Sequence, residues 1–302
     1  MPRSKTTNSA SSKRIPEPAP SKSPATRRAS AADAARKSGS NAAAAAPTQR
    51  AAAARAAGRL SLEDVMRRLE KEGSAQTRKT YLRHGAVEPM FGVSFAALKQ
   101  LVKEIKVDHE LAHRLWETGN HDARMLAIKV ADPATVSPQE LDRWAAGFSW
   151  WMCGGYVAAL AAESPHGRAK AKEWLASPDA GRRATGWMLV GYLAQLDASE
   201  DDAVFARHLE RIESTIRAAS NLERDAMIRT LIAIGCRTPA LRKAAVQVAK
   251  RLGTIEVDYG DTDCKTPDVA VSVEKAWAHA TSKKFPSPAA QERAREPMRL
   301  RC

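Results

Sequence analysis

Apolar residues recur at helical spacing from Leu60 to Ala280, and this periodicity constrains the fold more than any other feature of the chain. The run after Ser94 illustrates the pattern, because four of its apolar side chains fall on one helical face: Leu98, Leu101, Val102 and Ile105. No convincing run of alternating β-branched residues interrupts these segments. We therefore predict an all-α domain over residues 59–280.

Cap and turn residues divide this domain into short helices. A serine stands at three expected helix starts, Ser61, Ser94 and Ser137, and Thr266 followed by Pro267 predicts one more. About a dozen helices, pairing with a period of roughly 35–45 residues, predict a HEAT-like α-solenoid, a superhelix of antiparallel helix pairs. A closed helical bundle is the alternative, because periodicity does not fix how helix pairs stack.

The positive charge is concentrated at the two ends of the chain. Residues 1–58 carry 11 basic and 2 acidic side chains, a net +9 of the total +14, and their only large apolar residues are Met1 and Ile15. Such a segment cannot bury enough surface to offset its ordering entropy, so we predict a disordered basic tail rich in Ala, Ser and Pro. Residues 281–302, with 6 basic and 2 acidic side chains, are predicted to form a second, flexible basic tail.

Simple counts disfavour several classes of protein. The longest uncharged apolar run, Phe148–Ala162, has 15 residues, fewer than the roughly 20 that a membrane-spanning helix needs. The 4 cysteines form no CxxC pair, which argues against a disulfide framework or a cysteine-rich zinc site. The N-terminus lacks the apolar segment of a secretory signal, although its composition leaves an organelle transit peptide open. We expect a cytoplasmic protein whose basic arm favours nucleic acid, a solubilising terminus being the alternative.

The segment His109-Glu110-Leu111-Ala112-His113 matches the H-E-x-x-H pattern of zinc peptidases. Two histidines one helical turn apart can bind zinc, but a third ligand is needed, and Glu117 and His121 are the candidates in the sequence. The extended form of the motif fails because Trp116 stands where its glycine should be. We therefore expect no metal here and keep an HExxH metallopeptidase only as a remote alternative.

Five of the seven tryptophans lie within 44 residues, at positions 144, 150, 151, 174 and 187. Arg182 and Arg183 near this cluster could grip a phosphate, and indole faces attract cationic ligands. The competing interpretation is that the tryptophans fill the core while the arginines extend into solvent. Ten basic residues spread over positions 207–251 could line a further phosphate-facing surface, although acidic residues interleave with them.

Several segments between residues 90 and 275 form a recognisable set. They are Phe91-Gly92-Val93-Ser94, Asp108-His109-Glu110-Leu111-Ala112, Leu115-Trp116, Gly119–Ala127, Trp150, Trp174 with Arg182-Arg183, Ile234-Gly235, Asp258-Tyr259-Gly260-Asp261 and Cys264-Lys265-Thr266-Pro267-Asp268. Together they resemble the bacterial DNA alkylation repair family, the AlkD-like HEAT-repeat alkylpurine glycosylases and their relatives. The resemblance implies a concave solenoid that clasps duplex DNA and hydrolyses the glycosidic bond of cationic N3- or N7-alkylated purines without flipping the base.

The resemblance also implies which residues would face the lesion. In that family a tryptophan and an aspartate one helical turn later approach the deoxyribose, helped by an arginine and a second tryptophan on later helices. Trp150 matches the first tryptophan, and Arg183 matches the arginine, with Arg182 as the adjacent register.

Three positions depart from the family pattern. Gly154 replaces the expected aspartate, and Trp151 replaces the acidic residue expected directly after the first tryptophan. Arg229 stands near the position of the second tryptophan. Loss of the carboxylate removes the group that could stabilise an oxocarbenium-like sugar or orient water.

These observations predict a divergent family member that binds duplex DNA, alkylated or not, with lost or altered glycosylase activity and no assigned catalytic residue. Six residues are expected to contact DNA: Trp150, Trp151, Arg182, Arg183, Trp187 and Arg229. We expect a monomer associated with the nucleoid, with no cofactor and no membrane contact. The alternatives are an active DNA N-glycosylase that excises cationic N3- or N7-alkylpurines and a solenoid that binds protein rather than nucleic acid.

Overall fold

Fourteen α-helices follow one another from Leu62 to Arg293 in the part of the chain that the computed structural model describes. That part comprises residues 59–147 and 151–301, without the side chains of residues 151–154. The tail predicted for residues 1–58 lies outside it. The helices are α1 (Leu62–Glu72), α2 (Ala75–Arg83), α3 (Phe95–Ile105), α4 (His109–Glu117), α5 (His121–Val130), α6 (Pro138–Ala146), α7 (Trp151–Glu163), α8 (Gly167–Leu175), α9 (Ala180–Leu196), α10 (Asp202–Thr215), α11 (Asn221–Gly235), α12 (Pro239–Leu252), α13 (Val269–Ser282) and α14 (Pro288–Arg293).

Side-chain caps explain where most of these helices begin. The Ser94 hydroxyl accepts a hydrogen bond from a backbone amide in the first turn of α3, as its sequence position predicts. Ser137 and Glu140 form a reciprocal capping box at the start of α6. The helix start predicted at Thr266 is wrong, because Asp268 caps α13 and the Thr266 hydroxyl accepts from a loop amide instead.

The helices from α4 to α13 pack as two layers. The odd-numbered helices α5, α7, α9, α11 and α13 lie side by side, each in contact with the next. The even-numbered helices α4, α6, α8, α10 and α12 pack against them and form the second layer. This stacking of helix pairs is the architecture of a HEAT-like α-solenoid and confirms the predicted all-α fold. Among the described residues, β pairing is limited to an isolated bridge between Gly73 and Val93.

Large aromatic side chains fill the interior of the domain. Trp144, Trp174 and Trp187 are almost completely buried. Trp144 stacks on Trp116 with the ring centroids 4.9 Å apart, and the indole nitrogen of Trp174 donates to the Asp142 carboxylate at 2.7 Å. Aromatic side chains contribute large apolar areas to a core, and the bond to Asp142 satisfies the indole nitrogen of Trp174. These three tryptophans therefore belong to the core, as the competing interpretation of the tryptophan cluster predicts.

The C-terminal segment is not the flexible basic tail that its composition predicts. A 3₁₀ turn at Met298–Leu300 packs against α5 and α7. The buried ammonium of Lys129 donates to the backbone carbonyls of Arg299 and Arg301 at 3.1 and 2.7 Å. Arg299 is only 4% exposed and pairs with Glu163 at 3.0 Å. Because these charges are paired or buried, the helical domain extends past residue 280.

None of the described helices combines the length and the hydropathy that crossing a membrane would require.

Candidate nucleic-acid interface

A depression of about 410 Å³ opens on the surface formed by α7, α9 and α11, which we call the α7–α9–α11 face. The depression is lined by Gly155, Tyr156, Met188, Gly191, Tyr192, Gln195, Arg229, Thr230, Ile232, Ala233 and Pro267. None of these described lining residues is acidic. The described lining therefore combines apolar, hydroxyl and amide groups with one cationic side chain.

Arg229 is that cation, and Asp225 and Tyr259 determine how it is held. Its Nε donates to Oδ2 of Asp225 at 2.7 Å, one helical turn earlier on α11. The Tyr259 hydroxyl donates to Oδ1 of the same carboxylate, also at 2.7 Å. The Asp225 side chain is 4% exposed, whereas that of Arg229 is 44% exposed. A buried carboxylate thus orients an accessible guanidinium, an arrangement suited to binding a phosphate.

Tyrosines border the cation without adding negative charge. Tyr192 approaches α7 closely because Gly155 has no side chain: a Cβ at that position would lie 3.2 Å from the Tyr192 hydroxyl. Burial raises the pKa of Tyr192. Burial, together with the hydrogen bond to Asp225, raises the pKa of Tyr259 to about 12. Both phenols are therefore protonated and neutral at pH 7.

Among the predicted DNA contacts whose side chains the structure describes, Arg229 lines the depression. Trp187, by contrast, is 1% exposed. The His208 ring packs edge-on against its indole, and the Arg211 guanidinium carbon lies 5.4 Å from its ring centroid. The prediction that Trp187 contacts DNA is wrong, because this side chain belongs to the core.

Arg183 and Arg182 take part in contacts within the protein. Arg183 makes a two-pronged ion pair with Glu223, with nitrogen–oxygen distances of 2.6 and 3.0 Å. Its remaining nitrogen donates to the carbonyls of Ser177 and Pro178. Arg182 is half-buried and donates to a backbone carbonyl of α6 at 3.3 Å. DNA contact by these arginines stays a prediction, and for Arg183 it would require its ion pair to open.

The remaining predicted site residues are Trp150, Trp151 and Gly154. Trp150 is outside the described residues. Trp151 and Gly154 lie within α7, where the helix is described but their side chains are not. Gly154 directly precedes Gly155, which lines the depression.

A family model described as "DNA alkylation repair enzyme" matches residues 65–259, which is well over half of the chain. The chain belongs to this family. The chain is also similar to a solved structure, with 31% sequence identity and a TM-score of 0.67, over 73% of this chain and 95% of the other. That structure represents a family of proteins described as related to the HEAT-like repeat DNA glycosylases with affinity for branched DNA structures.

Two curated relatives are similar over most of the same region. They are the uncharacterized proteins Lin0241 of Listeria innocua and Lmo0209 of Listeria monocytogenes, which are 25% and 24% identical to this chain over 224 residues. The similarity spans 72% of this chain and 97% of each relative.

Three residues of the candidate site in this DNA alkylation repair family member are not predicted from the sequence. The spacing of Asp225 and Arg229 on a predicted helix is the signal that could have identified their ion pair. Tyr259 lies in a segment that carries the family resemblance, but its hydrogen bond spans 34 residues and leaves no local trace. Tyr192 has no sequence signal, since its role depends on how α9 packs against α7.

The two histidines of the HExxH segment on α4 converge with neither residue that the sequence offers as a third metal ligand. His121 is buried in an aromatic cluster, and Glu117 pairs with an arginine. Glu140 of α6 lies beside the motif instead. Its Oε1 is 3.2 Å from Nε2 of His109 and contacts Nε2 of His113.

Proposed function

We propose that this protein binds DNA through the α7–α9–α11 face, prefers branched DNA to uninterrupted duplex, and has lost the excision of alkylated purines. The observation that carries the proposal is the lining of the depression, which offers an arginine and tyrosines and, among the described lining residues, no carboxylate. Cationic and aromatic groups bind phosphates and bases. Glycosidic hydrolysis, in contrast, needs a group that stabilises a developing sugar cation or orients water.

The proposed phosphate contact is Arg229. Its Nε is fixed by Asp225, so the guanidinium loses little conformational freedom when a phosphate binds. The side chain is 44% exposed, which makes it accessible to a ligand on this face. Residues 1–58, with their net +9 charge, would add attraction that does not depend on DNA sequence or structure.

The proposed loss of excision follows from the carboxylates near the face. Gly154 stands where the family resemblance expects an aspartate. Asp225 is the acidic residue bonded to Arg229, but it is buried, and its two oxygens accept hydrogen bonds from Arg229 and Tyr259. A carboxylate held in this way is not available to approach a deoxyribose.

The preference for branched DNA rests on the solved neighbour, which is described as having affinity for branched DNA structures. A branch point presents phosphates from several strands and partly unstacked bases at one place. An anchored guanidinium beside tyrosine rings can bind both, because a base stacked on an aromatic ring contributes about 1–3 kcal/mol whatever its sequence.

Binding titrations test this proposal directly. Fluorescence anisotropy with a labelled four-way junction and a duplex of equal length should show tighter binding of the junction by the wild type. Arg229→Ala should weaken junction binding about tenfold, the value of one charge-assisted hydrogen bond to phosphate. The matched control is Arg251→Ala, because Arg251 is also exposed and ion-paired but lies on α12 in the even-numbered layer.

The outcomes separate the elements of the proposal. Equal weakening by Arg229→Ala and Arg251→Ala would place the DNA on another face. Equal affinity for junction and duplex would remove the branched preference, and binding to neither would favour a protein-binding solenoid. Thermal unfolding of both variants controls for damage to the fold.

A further inference from the structure

Three potential metal ligands converge between α4 and α6, in the even-numbered layer. One donor atom from each of His109, His113 and Glu140 lies within 4.8 Å of the other two. Nε2 of His109 is 3.2 Å from Oε1 of Glu140, and Nε2 of His113 contacts the same oxygen. A tetrahedral zinc ion with bonds of about 2.0–2.1 Å spaces its ligand atoms about 3.3 Å apart. Small side-chain rotations would bring all three donors to that spacing.

Two atoms of this cluster, Oε1 of Glu140 and Nδ1 of His109, are buried without a hydrogen-bond partner among the described residues. The two Nε2 atoms beside Oε1 can either carry a proton and donate to the carboxylate or present a lone pair to a metal ion. A metal ion bound by both Nε2 atoms and by Oε1 would lie where the three donors converge.

The helices hold the ligands in place independently of any metal. His109 and His113 are four residues apart on α4 and therefore share a helical face. Oε2 of Glu140 accepts from the backbone amide of Ser137 at 2.7 Å as part of the capping box of α6. That bond orients the carboxylate and leaves Oε1 directed at the two rings. Supporting hydrogen bonds of this kind are typical of metal-binding carboxylates.

We propose that His109, His113 and Glu140 bind a divalent transition-metal ion of the zinc class that joins α4 to α6. Two imidazoles and one carboxylate are a donor set that zinc favours, and water would complete the coordination. A neutral His113 ring that binds metal through Nε2 carries its proton on Nδ1, which lies 3.4 Å from the Arg143 guanidinium. Arg143 would then pair with Glu117, which it already contacts. The proposal departs from the sequence-based expectation of no metal, because the sequence does not show that Glu140 lies beside α4.

Metal analysis of the full, untagged chain tests the proposal. Protein purified without chelator and dialysed against trace zinc should hold about one zinc ion per chain by mass spectrometry. Cobalt added to the stripped protein should give the visible absorption of a tetrahedral complex. Either metal should raise the midpoint of thermal unfolding, because a ligand that binds the folded state stabilises it.

Matched variants locate the metal. Glu140→Gln keeps a capping-box residue at this position while it removes the anionic ligand. Both Glu140→Gln and His113→Ala should weaken zinc binding by more than the roughly 10–100-fold that loss of a supporting hydrogen-bond partner costs. The control is His279→Ala, an exposed histidine on α13, which should bind zinc like the wild type. A wild type that stays metal-free, or zinc binding that survives both ligand variants, would overturn the proposal.

Discussion

Position 154 of α7 holds glycine where the family resemblance expects the aspartate of an alkylpurine glycosylase. We predict that the wild type releases N7-methylguanine from duplex DNA no faster than it is lost spontaneously, and that Gly154→Asp raises this rate measurably. The substitution supplies the missing carboxylate next to Gly155, which lines the depression. It should also stabilise α7 slightly, since glycine inside a helix costs about 1 kcal/mol relative to alanine and aspartate costs less. Chromatography of released bases measures the excision.

The control for this prediction is Gly154→Asn, which has nearly the shape of the aspartate without its charge and should stay inactive. The gain from Gly154→Asp is expected to be partial, because Arg229 stands near the position of the second family tryptophan. Excision by the wild type that is lost in Trp150→Ala would contradict the prediction and favour the active glycosylase. Excision that survives substitution of both Trp150 and Arg183 would place the catalytic site on other helices.

Arg183 and Arg229 show what a residue's sequence neighbourhood cannot predict. Both are arginines on predicted helices, and both are expected from the sequence to contact DNA. The difference lies in their partners: Arg183 is bound by Glu223, 40 residues away, whereas Arg229 is anchored by Asp225, one turn earlier on its own helix. Both arginines are paired, but only Arg229 borders the depression. That distinction depends on how α9 and α11 pack, which no local pattern encodes.

At the scale of elements, the sequence predicts most where the determinants are local. Helix starts at Ser94 and Ser137 follow from the cap residue and the apolar spacing that comes after it. The end of the domain is mispredicted because charge composition cannot show that Lys129 lies buried with carbonyl acceptors in residues 299–301. Long-range pairing of this kind makes a basic segment part of the fold.

The C-terminal turn is therefore predicted to contribute to stability. Removal of residues 297–302 deprives the Lys129 ammonium of two carbonyl acceptors and Glu163 of its arginine partner. Hydrogen bonds to charged groups contribute about 1.5–3 kcal/mol each, so we expect the free energy of unfolding to fall by about 2 kcal/mol or more. Urea denaturation followed by circular dichroism measures this decrease.

A second substitution identifies the cause of that decrease. Lys129→Met in the truncated chain should recover part of the stability. Truncation removes the two C-terminal carbonyls that accept from the Lys129 ammonium, and methionine replaces this ammonium with an apolar side chain of similar length. Lys172→Met, at an exposed position on α8, is the matched control and should recover none. Unchanged stability of the truncated chain would restore the flexible-tail interpretation of residues 281–302.

At the scale of the whole molecule, the excess positive charge lies almost entirely outside the predicted helical domain. Residues 59–280 are nearly neutral, and many of their arginines are paired with carboxylates, including Arg183, Arg242 and Arg251. A nearly neutral domain gains little from counterion release on its own. The α7–α9–α11 face would then determine which DNA structure is preferred, while the N-terminal residues would supply most of the sequence-independent affinity.

We therefore predict that removal of residues 1–58, which carry a net +9 charge, weakens binding to junction and duplex by similar factors and flattens the salt dependence of both. Each phosphate that the shortened chain no longer neutralises should reduce the slope of log affinity against log salt by about 0.9. The matched control keeps the length of the segment and replaces its 11 basic residues by glutamine, and it should behave like the deletion if charge is the cause. The ratio of junction to duplex affinity should stay constant, because the α7–α9–α11 face is unchanged. Anisotropy titrations at several salt concentrations measure both quantities, and an unchanged slope in the deletion would show that the N-terminal residues do not contact DNA.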